Sequence, residues 1–113
     1  LSFSDKAHVL CIDEAQFFDI DLIKVCEELA NQGKKIILAG LDKDYSAKPF
    51  KQIAHLLALS NDIKKLNAIC VQCGDLANFS KRTTSETKQV IVGESEKYEA
   101  RCRKCYYNKK GNV

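Results

Sequence analysis

Two cysteine pairs of matched spacing, Cys70-Val71-Gln72-Cys73 and Cys102-Arg103-Lys104-Cys105, constrain this chain more than any other feature. Two residues between thiolates let both sulfurs of a pair reach one ion through a tight knuckle. Two knuckles then supply the four soft ligands of a closed, tetrahedral, structural zinc site. The stretch from Cys73 to Cys102 is longer than in a compact zinc ribbon, so the metal is expected to staple the base of a long excursion. Paired disulfides are the alternative. Six cysteines in 113 residues fall below the density of a disulfide scaffold, and residues 1–6 hold no apolar leader. A redox Cys-x-x-Cys centre would need only one of the two pairs. Cys11, in an apolar run, and Cys26, on an apolar helical face, are expected to be buried, reduced and inert.

A second feature concerns chemistry. The run Val9-Leu10-Cys11-Ile12 ends in Asp13-Glu14. An apolar strand closing on two carboxylates can present one acid to Mg²⁺ and the other to a proton on an attacking oxygen. Alone, this pattern is also a common way to leave a strand and enter a solvated helix. The neighbouring pattern predicts a buried strand over residues 8–12. A helix follows, capped by Asp19 or Asp21, carrying Leu22, Ile23, Cys26, Leu29 and Ala30 on one face and stopped by Gly33. A strand over residues 36–39 comes next. Strand, helix, strand in this length is a βαβ unit with parallel strands and a right-handed crossover. Sites in such sheets lie at the carboxyl ends of the strands, which is where Asp13-Glu14 and Leu41-Asp42 fall.

Beyond this unit a polar loop leads to Pro49. A helix with Phe50, Ile53, Ala54 and Leu57 inward, and Leu56 as a further candidate, should end near Asn61. Short strands are predicted over residues 66–69 and 77–79, strand-like segments over 89–93 and 98–101, and a polar loop over 83–88. The fold class is therefore α/β: a partial P-loop-type parallel sheet over residues 1–66, followed by a small zinc-ribbon β subdomain with a long loop over residues 67–113. A hydrophobic content of 45% supports a modest core, and few large apolar residues lie beyond Ala68, so metal should help the second half fold. No stretch is long and apolar enough to span a membrane. The net charge of +3 does not point to nucleic acid. The basic residues Arg101, Arg103, Lys104, Lys109 and Lys110, with Tyr106 and Tyr107 among them, read as a solvated terminus rather than a strand-binding tail. The glycines form no G-x-x-x-x-G-K-[ST] phosphate loop. The chain holds no methionine and starts close to an interior strand. It is expected to be the later part of a longer protein whose phosphate loop precedes Leu1, and to transfer no phosphate by itself.

In combination these segments are specific. Ile12-Asp13-Glu14-Ala15-Gln16-Phe17-Phe18, Leu41-Asp42, Lys48-Pro49-Phe50, Val90-Ile91-Val92-Gly93, Lys97-Tyr98 and the two knuckles resemble, in order and spacing, the cytosolic zinc-containing class of thymidine kinases. The resemblance runs along essentially the whole chain. It implies transfer of the ATP γ-phosphate to the 5′-hydroxyl of thymidine or deoxyuridine, in pyrimidine deoxynucleoside salvage. Glu14 matches the catalytic base. Asp13 and Gln16 fall on the Mg²⁺–ATP side. Phe17, Leu41, Tyr45 and Phe50 fall where the family lines its nucleoside pocket, and Tyr45 replaces a customary phenylalanine, so its hydroxyl needs a partner if buried.

The family's long loop, its lasso, closes over the base. The resemblance assigns the pyrimidine edge to backbone groups of Gln89, Val90, Ile91, Val92 and Gly93, with Tyr98 holding the nucleoside and Ser80 near the base methyl. Cys70, Cys73, Cys102 and Cys105 would hold structural Zn²⁺ and so anchor both ends of the lasso. A cytoplasmic homotetramer inhibited by thymidine triphosphate is further implied, with neither membrane nor nucleic acid as partner. Two other readings stay open on residues alone. One is a non-enzymatic zinc-ribbon module that binds nucleic acid. The other is a helicase-like P-loop ATPase fragment, because Asp13 to Gln16 also resembles a helicase motif.

Overall fold

The computed structural model describes residues 8–83 and 98–108. They fall into two compact units, one of residues 8–42 and 50–61, the other of residues 43–49, 62–83 and 98–108.

The first unit is built on the expected βαβ motif. Strand β1 (Val9–Ile12) pairs in parallel with β2 (Lys35–Leu38), with Val9 opposite Lys35 and Ile12 opposite Leu38. Helix α1 (Asp21–Asn31) makes the crossover. Asp19 Oδ1 accepts the Asp21 N–H at 3.0 Å and so supports the first turn. Gly33, at φ 88°, gives the left-handed stop, and its N–H donates to Ala30 C=O. Leu22 and Cys26, four residues apart, form the buried stripe of α1. Helix α2 (Lys51–Leu59) contributes Ile53 and Leu56, and Phe50 is buried at its start. Together with Ile12 and Ala15 these side chains make the core of the unit. Of the positions expected inward on α2, Ile53 and Leu56 are buried on one face three residues apart, Leu57 is half-buried and Ala54 is exposed.

β1 is not a buried strand: Val9 and Cys11 are exposed, whereas Ile12 is buried. Its burial alternates. One face carries Leu10 and Ile12, and the other is left open among the described residues. Cys11 is therefore an exposed thiol, while Cys26 is buried as expected.

The second unit is a set of short antiparallel pairs. β3 (Ala68–Ile69) pairs with β4 (Leu76–Ala77), and β5 (Phe79–Arg82) with β6 (Tyr98–Arg101). β3 is shorter than predicted, since Leu66 is exposed and unpaired with the strand ladder. The basic end is not a solvated tail as far as Asn108. Residues Arg103–Tyr107 form a short helix, α3, and the rings of Tyr106 and Tyr107 pack with Phe79 at centroid distances of 4.9 and 5.6 Å. The interleaved aromatics are the reason: they pack with Phe79, and the Arg103 guanidinium lies over the same ring at 4.9 Å. Gln89, Val90, Ile91, Val92 and Gly93, the polar loop from 84 to 88 and Lys109 and Lys110 lie outside the described residues.

Candidate active site and metal centre

At the end of β1 the chain turns sharply. Glu14 adopts a left-handed backbone, φ 53° and ψ 44°, before a 3₁₀ turn at Ala15–Phe17. A non-glycine residue held there costs about 1–2 kcal/mol, and such strain gathers at functional sites. The surroundings impose it. Ala39 N–H donates to Ile12 C=O and Ala15 N–H to Ala39 C=O, both at 2.9 Å, so the chain is held to the residue after β2 on either side of Asp13-Glu14. Asp13 Oδ1 accepts the Glu14 N–H at 2.8 Å. Both carboxylate-bearing residues are exposed at this edge. Gln16 is buried beneath them, with 4% of its surface accessible. Its Nε2 donates to Glu14 Oε2 at 2.6 Å, and its Oε1 accepts the Leu41 N–H at 3.0 Å. The first unit thus brings Asp13, Glu14, Gln16 and the backbone of Leu41 together. The Phe17 and Leu41 side chains are exposed, whereas Phe50 is part of the core.

The other candidate side chains belong to the second unit. The segment Lys43–Pro49 is a tight loop organised by Asp44, whose Oδ1 accepts from Ser46 N–H, Ser46 Oγ and Lys48 N–H at 2.9, 2.7 and 3.1 Å. This presents Tyr45 to a guanidinium that sequence reasoning did not single out. Arg82 is 8% exposed and lies over the Tyr45 ring at 3.7 Å and the Tyr98 ring at 5.3 Å. Its Nη2 donates to Tyr98 Oη at 2.9 Å. Tyr106 Oη donates to Tyr45 C=O. Tyr45 and Tyr98 are therefore joined through Arg82, and Ser80 sits half-buried on β5, paired with Ala100. The signal available in sequence was weak, because the pairing of Arg82 with Tyr98 depends on the strand register. Cation–π contacts are worth about 0.5–2 kcal/mol, and lysine lacks the planar face that makes this stack. Arg82→Lys is expected to destabilise the protein by about 1–2 kcal/mol in denaturant unfolding. An unchanged midpoint would show that the stack contributes nothing.

The four knuckle cysteines converge. The sulfurs of Cys70, Cys73, Cys102 and Cys105 all lie within 4.8 Å of one another, and those of Cys73 and Cys102 are 3.6 Å apart. A tetrahedral Zn²⁺ with bonds near ~2.3 Å needs sulfurs about 3.8 Å apart, so the cluster has the right size. Its backbone holds both knuckles in shape. Gly74, at φ 82°, lets the first knuckle turn, and its N–H donates to Cys70 C=O. Cys105 N–H donates to Cys102 Sγ at 3.4 Å, which starts α3 from the second knuckle. Val71 N–H donates to Ala100 C=O and ties the first knuckle to β6. Burial opposes ionisation of Cys70, but the amides of Cys102, Cys73 and Gln72 outweigh it and bring the thiol down to about 6. Burial, then hydrogen bonding to Cys102, pushes Cys105 far up. One sulfur ionises readily while a neighbour resists, and four thiolates this close would repel unless a cation sat among them. The donor set fits zinc.

A sequence model of the thymidine kinase family matches residues 2–106. The chain belongs to the thymidine kinase family. The thymidine kinase of Bacteroides thetaiotaomicron is 50% identical over 111 residues, covering 98% of this chain and 56% of the relative. Those of a Rhodothermus species and of Myxoma virus are 46% and 45% identical over 106 residues, covering 94% of the chain and 50% and 59% of the relatives. The chain spans about half the length of the curated relatives it matches. The family match takes in both the βαβ unit and the knuckles, which a free-standing ribbon module would leave unconnected. The four-cysteine cluster fits the zinc-containing class of thymidine kinases. No helix among the described residues is long and apolar enough to cross a membrane.

Proposed function

We propose that the protein to which this chain belongs is an ATP-dependent thymidine kinase of deoxynucleoside salvage, and that these residues supply its acceptor side and its zinc centre. The observation that carries the reading is the carboxylate of Glu14, held at the strand end of a family member by strained backbone and a buried amide. In the reaction Glu14 takes the proton of the 5′-hydroxyl as that oxygen bonds to the γ-phosphorus, and the bond to the leaving ADP breaks. Asp13, exposed beside it, offers a carboxylate for Mg²⁺, which when bound neutralises charge developing on the phosphates.

In this reading Phe17, Leu41, Tyr45 and Phe50 shape the nucleoside pocket, with Ser80 and Tyr98. Backbone groups of residues 89–93 read the pyrimidine edge. Cys70, Cys73, Cys102 and Cys105 hold Zn²⁺ as a structural ion, which keeps both ends of the intervening loop in place. A cytoplasmic, tetrameric enzyme restrained by thymidine triphosphate belongs to the same proposal, and rests on the resemblance alone. The test is steady-state phosphorylation by the whole protein, purified with zinc and supplied with ATP–Mg and either thymidine, deoxyuridine or a purine deoxynucleoside. Turnover confined to the two pyrimidines is the expected result. Phosphorylation of none of them, or of purines equally, overturns it.

A further inference from the structure

We infer that Gln16 is the positioning residue of Glu14, fixing which carboxylate oxygen receives the substrate proton. The inference rests on the reading of Glu14 as the base, and goes beyond it to the group that aims that base.

The two ends of a glutamine amide are chemically distinct, one oxygen that only accepts and one nitrogen that only donates. At Gln16 the surroundings determine which end points where. Leu41 offers a backbone N–H, which cannot accept, so Oε1 must face it, as it does at 3.0 Å. Nε2 is thereby directed at Glu14 Oε2, 2.6 Å away. Reversing the amide would set donor against donor at Leu41 and acceptor against carboxylate at Glu14. The rest of the residue is equally held. Its backbone C=O accepts from Gln52 Nε2 at 2.8 Å, and the same nitrogen donates to Phe18 C=O at 2.7 Å, which ties the turn to α2.

Space for the amide comes from Gly40. A Cβ there would lie 2.9 Å from Gln16 Oε1 and 3.1 Å from Ala15 N. A side chain at position 40 and the Gln16 amide therefore compete for one volume. Glu14 itself is exposed on a turn, with a side chain that would otherwise sample several rotamers. A charge-assisted hydrogen bond from a buried, pre-set donor removes that freedom. It also divides the labour of the carboxylate. Oε2 is engaged by Gln16, so Oε1 receives the 5′-hydroxyl proton as the new oxygen–phosphorus bond forms and ADP departs. Misaiming a catalytic group by a small angle is costly in rate and nearly invisible to binding.

The experiment is a double-mutant cycle in the whole kinase. Gln16→Glu keeps the length of the side chain and an acceptor for Leu41, but sets a carboxylate against Glu14. It should lower kcat by about 10–100-fold while the KM for thymidine stays within about two-fold. Gly40→Ala, which displaces the amide without altering it, should lower kcat in the same way when assayed well below its melting temperature, which the crowding at Ala15 N should also lower. In a Glu14→Gln background, Gln16→Glu should cost almost nothing further, since there is no base left to aim. Gln16→Glu at wild-type kcat, or the same loss in both backgrounds, overturns the inference and leaves Gln16 a structural residue. Should Gln16→Glu fail to fold, Gly40→Ala decides by the same comparison of kcat in the two backgrounds. Full turnover by Glu14→Gln alone would instead remove the reading of Glu14 as base.

Discussion

Replacing Glu14 by glutamine should slow phosphorylation of thymidine by the whole kinase about 10²–10⁴-fold, the usual worth of a general base. Thymidine affinity should change little. The substitution keeps the size of the side chain, and its amide oxygen still accepts from Gln16 Nε2, so the geometry at the end of β1 survives. The left-handed backbone at position 14 is likewise unaffected, because glutamine occupies that region no less readily than glutamate. What is lost is the carboxylate that accepts the hydroxyl proton as the oxygen attacks phosphorus. Steady-state rates combined with calorimetric thymidine titration separate these effects. Wild-type kcat in the variant would mark Glu14 as a solvated strand end.

The second large effect is expected at the metal centre. Cys102→Ala should abolish stoichiometric zinc, with a fall in affinity greater than the roughly 10–100-fold typical of changes around the ligands. It should also unfold more than one knuckle. Cys102 Sγ accepts the Cys105 N–H, so the same atom that would bind metal starts α3. Its loss frees Tyr106 and Tyr107 from Phe79, and with them the packing at the end of β5. The βαβ unit has its own core of Ile12, Leu22, Cys26, Ile53 and Leu56 and should keep its protection. Metal analysis with hydrogen exchange resolves the two regions. Retained zinc, or equal loss of protection in β1 and β5, contradicts the assignment. A chelator acting on the unaltered protein should reproduce the pattern.

The parts legible in sequence were those that depend on residues close in the chain. Knuckle spacing is such a property, and so are the Gly33 stop and the parallel strand–helix–strand unit, where local periodicity and connection length restrict the choices. Side chains whose roles depend on distant partners were less visible. Gln16 meets Leu41 across 25 positions, and Arg82 meets Tyr98 across 16. Neither connection has a local signature, so Gln16 could be grouped only with the nucleotide side and Arg82 passed unnoticed. Continuous apolar runs are ambiguous in another way. The run at residues 9–12 predicts burial on both faces, yet its alternation in space leaves Cys11 exposed. At the other end, charge dominated the reading of residues 101–107, while the stacking of Tyr106 on Phe79 governs their structure.

The short loop around Tyr45 has a consequence for recombination between relatives. Its flanking residues Asp42 and Phe50 belong to the strand–helix unit, and Phe50 N–H closes on Asp42 C=O at 3.0 Å. The loop itself, Lys43–Pro49, is part of the cysteine-bearing unit, fastened by Arg82 and Tyr106. That unit is therefore discontinuous along the gene. A chimaera joined after Asn61 would import a foreign ribbon while keeping the resident loop, and would inherit a mismatched Tyr45–Arg82–Tyr98 stack unless both parents share it. Exchange between distant members of the family should thus succeed when residues 43–49 travel with residues 62–113, and a ribbon transplanted as a single contiguous cassette should fold poorly.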